Sequence, residues 1–288
     1  MKYMTKEWYQ TMQNTSFHFP LHASKHAEKF SEAFYRALYE AREDEMVRTW
    51  EEVSKVQFED IYCDSEEQYV AECMEGYNDL PEEEYEQIKA AWAAQRSAAL
   101  ASWSDRPRYD PEKTRENFRK AQRNNVKCLK EDLPEYMLQQ VADVRVLALD
   151  FASAAVKRDI TAWCTQNRKE ANQTAKGYEK QYRAMLKKGN PAFLEDFSFH
   201  DCKITSCRRQ GKNLVIRLDN SGGFTDVQNI ILEQCTILKQ ERPFRNAWWL
   251  YEEIYPVDGG WEIHVLLQNS RMQLIDFIVQ VAGVRLKR

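Results

Sequence analysis

Apolar residues recur at steps of three and four through the first 188 positions and at alternate positions beyond about residue 200, which predicts helices followed by strands. Thr5 is placed to cap a short first helix through Trp8, and Pro20 interrupts the pattern. A second helix is expected from about Ser24, with Phe30, Phe34, Ala37, Leu38 and Ala41 at helical spacing. Asn78-Asp79-Leu80-Pro81, followed by Glu82, Glu83 and Glu84, reads as another helix start. It offers a capping residue, a proline for the first turn and acids at the positive end of the helix dipole. That helix runs to about Trp103; Asp105–Pro111, with two prolines, is a loop, and a basic helix follows.

From Leu133-Pro134 the spacing predicts one long helix with two apolar stripes. Met137, Val141, Val144, Ala148, Phe151 and Ala155 form one; Val146, Leu149, Val156, Ile160 and Trp163 form most of the other. Positions 144 and 146 lie about 200° apart at 3.6 residues per turn. A helix apolar on opposite sides is buried, so this one is expected to be the central helix, with Asp143, Arg145 and Asp150 at or near a buried region.

Gly189-Asn190-Pro191 reads as a helix stop and a boundary. The expected fold is α+β: a helical domain over 1–190 and a small antiparallel β domain over 191–288. Six of the nine glycines fall after residue 200, and a hairpin is expected from Cys202–Arg208 and Leu214–Leu218 around Gln210-Gly211. Further strands are expected at Val227–Leu232, Cys235–Lys239, Trp248–Tyr255, Trp261–Leu267 and Gln273–Val281. An Asp258-Gly259 turn would pair Val257 with Gly260, Ile254 with Ile263, and Glu253 with His264. Ile254 and Ile263 would face the core. Trp249, Tyr251, Glu253, Tyr255 and His264 would share the opposite face, as a patch that docks on the helical domain or anchors a partner. The Glu253 carboxylate would hold His264 above its usual value of about 6.5, provided the pair is not deeply buried.

The chain's 288 residues, 43% hydrophobic and 30% charged, suffice for a sizeable core. No apolar run reaches the ~20 residues of a membrane span, and the opening residues do not read as a leader. Seven cysteines without any Cys-x-x-Cys suggest reduced thiols in a cytosol. The net charge of −4 is uneven: −11 over residues 1–103, +7 over 104–190 and zero beyond. Opposite charge in neighbouring helical segments predicts that they pack against each other.

Three stretches carry a resemblance. They are Met1-Lys2-Tyr3-Met4-Thr5-Lys6-Glu7-Trp8-Tyr9, Leu133-Pro134 with Val141-Ala142-Asp143-Val144-Arg145-Val146-Leu147-Ala148-Leu149, and Phe199-His200-Asp201. Together they resemble the bacterial family known as domain of unknown function 4085. The resemblance implies a bacterial cytosolic protein and assigns no site residues.

The common catalytic signatures, from phosphate-binding loops to nucleophile elbows and zinc helices, do not occur in the chain. His18, His22 and His26 are spaced by four, and His22 with His26 could share a helix face as zinc ligands, but Pro20 intervenes and packed or exposed histidines are the simpler expectation. His200 and Cys202 would share a strand face as a nucleophilic pair, with Asp201 turned away. The basic run from Lys113 to Lys130 could follow a phosphate backbone, yet one aromatic, Phe118, lies near it. Asp60, Asp64 and Glu67 read as a solvated acidic face before they read as a metal site. These features point to a non-enzymatic, cytosolic protein-interaction module, immunity- or antitoxin-like. The expected partner is another protein, not a membrane or a nucleic acid, and no cofactor or metal is expected. The alternative is a metal-dependent enzyme with a site between the two domains using Asp143, Asp150 or His200.

Overall fold

In the computed structural model, which describes residues 1–62, 65–74, 81–187 and 192–288, most helices begin where a side-chain oxygen can cap them. The boundary expected at Gly189-Asn190-Pro191, the Asn78–Leu80 part of the helix start and Asp64 lie outside the described residues. Helices α1 (Lys6–Gln13), α2 (Glu32–Lys55), α3 (Phe58–Ile61), α4 (Glu66–Cys73), α5 (Glu82–Ser104), α6 (Pro111–Asp132), α7 (Glu135–Leu138), α8 (Val144–Leu147) and α9 (Ala154–Leu186) fill the N-terminal part with two short strands, β1 (His22–Ala23) and β2 (Phe151–Ala152). Eight strands follow: β3 (Lys203–Gln210), β4 (Asn213–Asp219), β5 (Asn229–Glu233), β6 (Thr236–Gln240), β7 (Trp248–Val257), β8 (Gly260–Gln268), β9 (Leu274–Val281) and β10 (Gly283–Lys287). The fold is α+β. Its two compact units are Leu21–Val156, and Met1–Pro20 with Lys157–Arg288, so they are drawn at other places than the change of composition near residue 190. The reason is that α9 and the first residues cluster with the sheet.

In the Leu21–Val156 unit the helix expected from Ser24 starts later. Ser24 caps only a single 3-10 turn, Lys25–Glu28, and Ser31 caps α2 by accepting the Phe34 N–H. Asp110 caps α6, with Pro111 in its first turn. The acidic and basic segments do pack together. Glu43 of α2 is buried and accepts from the guanidinium of Arg119 at 2.8 Å and of Arg115 at 3.1 Å, while Asp44 accepts from Arg115 at 2.9 Å.

The single helix expected over residues 133–163 does not form, although the burial expected of it does. Asp143 turns its carboxylate onto the Arg145 N–H and caps a four-residue helix. Asp150 then takes a left-handed φ of 69°, which no α-helix accommodates. Its carbonyl and that of Ala152 accept the His22 and Ser24 N–H groups, so β2 pairs in parallel with β1. Val146, Leu147, Leu149, Ala152, Val156 and Ile160 are all buried. The two apolar stripes are divided among α7, α8, β2, the segments between them and the first turns of the long α9, and of their residues Val141, Val144, Phe151 and Trp163 are half-buried and Ala155 is exposed.

In the other unit the strands form one antiparallel sheet in the order β10-β5-β4-β3-β7-β8-β9-β6. Its core gathers Phe199, Ile204, Ile216, Ile230, Trp249, Ile254, Ile263 and Phe277. The Asp258-Gly259 turn is present and the register runs Val257–Gly260, Ile254–Ile263 and Glu253–His264, as the spacing predicted. Of the turn pair, Gly259 alone takes a positive φ, 77°. β10 was not anticipated, although Val284 and Leu286 alternate with Arg285 and Lys287. A bulge between Trp249 and Tyr251 shifts the face of β7. Trp249 therefore joins the core with Ile254, a correction to the shared face expected for Trp249, Tyr251, Glu253 and Tyr255.

The turn generates a graded prediction. Gly259→Ala strains a left-handed position and is expected to cost about 1 kcal/mol. A Cβ on Gly260 would stand 2.0 Å from the Val281 carbonyl oxygen, a backbone atom, so Gly260→Ala must cost more, on the order of 2–4 kcal/mol. Urea unfolding of the two variants gives the order; equal losses would contradict the packing described.

Candidate functional site

The bulge leaves Tyr251, Glu253, Tyr255 and His264 on one face of the sheet. The Glu253 carboxylate, fully buried, accepts the backbone N–H of Lys2 at 2.7 Å, of Tyr3 at 2.9 Å and of Met4 at 2.5 Å, and the Tyr255 hydroxyl donates to it at 2.6 Å. Trp8 of α1 packs edge-on against Tyr251 and donates its indole N–H to the Ala171 carbonyl of α9 at 3.0 Å. The Tyr178 hydroxyl of α9 accepts the Ile254 N–H at 2.8 Å. The aromatic face is thus covered by the chain's own first residues and α9, and its central carboxylate is engaged by Lys2–Met4 and by Tyr255.

Two titratable groups on β7 and β8 are displaced by burial. His264 is buried, with Glu262 accepting its Nε2 proton at 2.7 Å and its Nδ1 unpartnered among the described residues. Burial lowers its pKa and outweighs Glu262 and Glu253; the pair is deeply buried, the condition under which the upward shift was not expected. The bulge also turns Glu252 toward Trp249, whose indole N–H donates to it at 2.7 Å. Enclosure pushes this carboxyl up to about 7, against the pull of Trp249, Ser198 and the Phe199 backbone.

The other candidates are engaged separately. His18 packs on Phe19, His22 on Phe151 and His26 on Phe34. His22 lies in β1 and His26 in a 3-10 turn, so they share no helix face. Asp201 adopts φ 66° and its carboxylate lies 2.9 Å from His200 Nδ1, reversing the expectation that it turns away. Cys202 precedes β3 and is buried; burial pushes its thiol up to about 11, which keeps it protonated and poorly nucleophilic at neutral pH. Asp143 is held by Arg145, which also reaches Glu32 at 2.7 Å. Among the described residues no three of His, Cys, Asp and Glu converge as metal ligands.

An open site that periodicity did not single out lies in the Leu21–Val156 unit. A cleft of about 590 Å³ is lined by Trp50 and Val53 of α2, Trp103 of α5, and Arg106, Arg108 and Tyr109 of the loop that follows. The loop is fastened to α2. The Tyr109 hydroxyl donates to the Val47 carbonyl at 2.8 Å, and Arg106 donates to the Ser54 and Val56 carbonyls at 3.3 Å each, at the negative end of the helix. The Arg106 guanidinium also lies 3.6 Å from the centre of the Trp103 ring. The signal in the sequence is faint: Trp50 and Val53 at i, i+3 on a mostly polar helix, and Arg106-Pro107-Arg108 in the loop.

Two predictions follow from the carboxylates of β7. Glu253→Ala strands three N–H groups and a hydroxyl, and is expected to cost about 3–5 kcal/mol and to release residues 2–13 to rapid amide exchange. Unchanged exchange there would contradict the anchoring. For Glu252, the folded pKa of about 7 lies above the ordinary 4.5. Its stabilising contribution is complete below pH 4.5 and is lost as pH rises through 7. Relative to wild type, Glu252→Gln should therefore gain on the order of 3 kcal/mol between pH 4.5 and 8 in chemical denaturation. A constant difference across that range would mean a solvated carboxyl.

Comparison with curated proteins and with solved structures finds no match to the chain. A family model described as protein of unknown function (DUF4085) matches residues 97–277, more than half of the chain, from the end of α5 into β9. The Leu133–Leu149 and Phe199–Asp201 stretches lie inside that match, and Met1–Tyr9 lies before it. The chain belongs to this family, DUF4085.

Proposed function

We propose that this protein is a non-catalytic interaction module that seizes another protein through the cleft beside Trp50. One observation carries the reading: Trp50 and Val53 remain 52% and 45% exposed at the mouth of a cleft whose other walls are tied down by hydrogen bonds. Large apolar side chains left in water beside a preformed aromatic wall are a recurring mark of contact surfaces, and Trp, Tyr and Arg dominate binding hot spots. A partner inserting an apolar side chain between Trp50 and Trp103 would recover that exposed area, and Arg108 at the rim favours an acidic group beside it. A cytosolic setting suits the cysteines, whose thiols are free throughout the described residues.

Site-specific photocrosslinking tests this. p-Benzoylphenylalanine replaces Trp50 in one sample and Phe224, 99% exposed in the other unit, in a second. In native lysate the probe at 50 should yield a discrete crosslinked protein that the probe at 224 does not. Adding Val53→Asp should abolish it with melting unchanged. Labelling at 50 no stronger than at 224, or undiminished by Val53→Asp, would sink the proposal.

A further inference from the structure

We infer that the seam of the sheet between β3 and β6 is a second binding site, which takes an extended acidic peptide as an added strand. β7 begins at Trp248 and pairs with β3 at Lys203 alone, so from Ser206 to Gln210 β3 has strand pairing only with β4. β6 is the last strand of the sheet and pairs only with β9. Among the described residues both present backbone on one side with no strand partner, and such an edge is a template for another strand. The two border one groove of about 370 Å³, to which β3 contributes Ser206–Arg209 and β6 contributes Ile237 and Gln240. Leu214 and Phe244, both buried, floor it.

The charge of the groove selects its occupant. Arg208, Arg209 and Arg245 line it, and no carboxylate does, in a chain whose net charge is −4. Arg209 is spent on the structure: its guanidinium crosses the seam to the Cys235 carbonyl, just ahead of β6, at 2.6 Å. Arg208 and Arg245 are exposed, and their guanidinium groups have no ion-pair or hydrogen-bond partner among the described residues. Arginine binds carboxylates in planar two-bond geometry. Alternation along a strand sends every second side chain to the same face. A peptide with acids at alternate positions can thus present carboxylates to the arginines and apolar side chains to the floor while its backbone pairs with a free edge.

The probe is a fluorescein-labelled decapeptide of alternating Glu and Val, followed by polarisation at low salt. Wild type should bind it saturably, and Arg208→Glu with Arg245→Glu should weaken binding at least tenfold with an unchanged melting curve. Trp50→Ala should leave it unaltered, which separates this site from the cleft. Amides of residues 206–210 or 236–240 should gain protection from hydrogen exchange when the peptide is added. Absence of saturable binding, equal binding by the double variant, or binding without new amide protection would overturn the inference. So would full displacement of the peptide by millimolar inorganic phosphate or by a single-stranded oligothymidylate, which would point to a phosphate site. A concentration-dependent dimer in light scattering that excludes the peptide would assign the edge to a second copy of the chain.

Discussion

The carboxylate of Glu253 is the constraint on which one face of the sheet depends. A charge taken out of water is costly unless its lone pairs are met, and here four donors meet them: three consecutive backbone N–H groups and a tyrosine hydroxyl. Bonds to an ionised acceptor are among the stronger ones available. Because three of the donors are backbone, the interaction fixes the path of Lys2–Met4 irrespective of their side chains. That path delivers α1 to the sheet, where Trp8 closes over Tyr251 and bonds to α9.

The bulge after Trp249 makes this arrangement possible. Without the extra residue, strict alternation would put Trp249 on the face of Glu253 and turn Glu252 away from its indole. With it, Trp249 enters the core, and Glu252 follows as a half-buried carboxyl bonded to that indole. One inserted residue thus divides the aromatic residues of β7 between two environments and gives two neighbouring glutamates different surroundings: Glu253 is met by four donors, and Glu252 is enclosed with its pKa pushed up to about 7.

In the Leu21–Val156 unit, charge pairing decides what is left available. Glu43 consumes Arg115 and Arg119 of the basic helix, so much of what resembled a track for phosphates serves to join α2 to α6. Further along α2 the neighbouring loop is secured by Arg106 and Tyr109, and the apolar Trp50 and Val53 are left facing water. The exposed apolar pair, which we propose as a contact surface, therefore lies where the internal pairing ends.

The sequence by itself determined the features that rest on neighbouring residues. Thr5 caps α1 as read because a short side-chain oxygen can reach an N–H three residues on, whereas the cap of α2 lies at Ser31 and not at Ser24, where the helix was expected to start. The β7–β8 register followed from Asp258-Gly259 and from the isoleucines it aligns. Tertiary structure decided the rest. Helical spacing through residues 133–163 was compatible with one helix, and distant N–H groups of His22 and Ser24 claimed the carbonyls of Asp150 and Ala152 instead. Burial of Leu147 and Leu149 was legible because apolar side chains are buried in either geometry. The partners of Glu253 lie some 250 positions away along the chain, and no periodicity records a pairing with backbone, which every residue carries alike. The bulge after Trp249 was equally hidden, since its alternative, an unbroken strand, satisfies the same alternation until the packing of both faces is known.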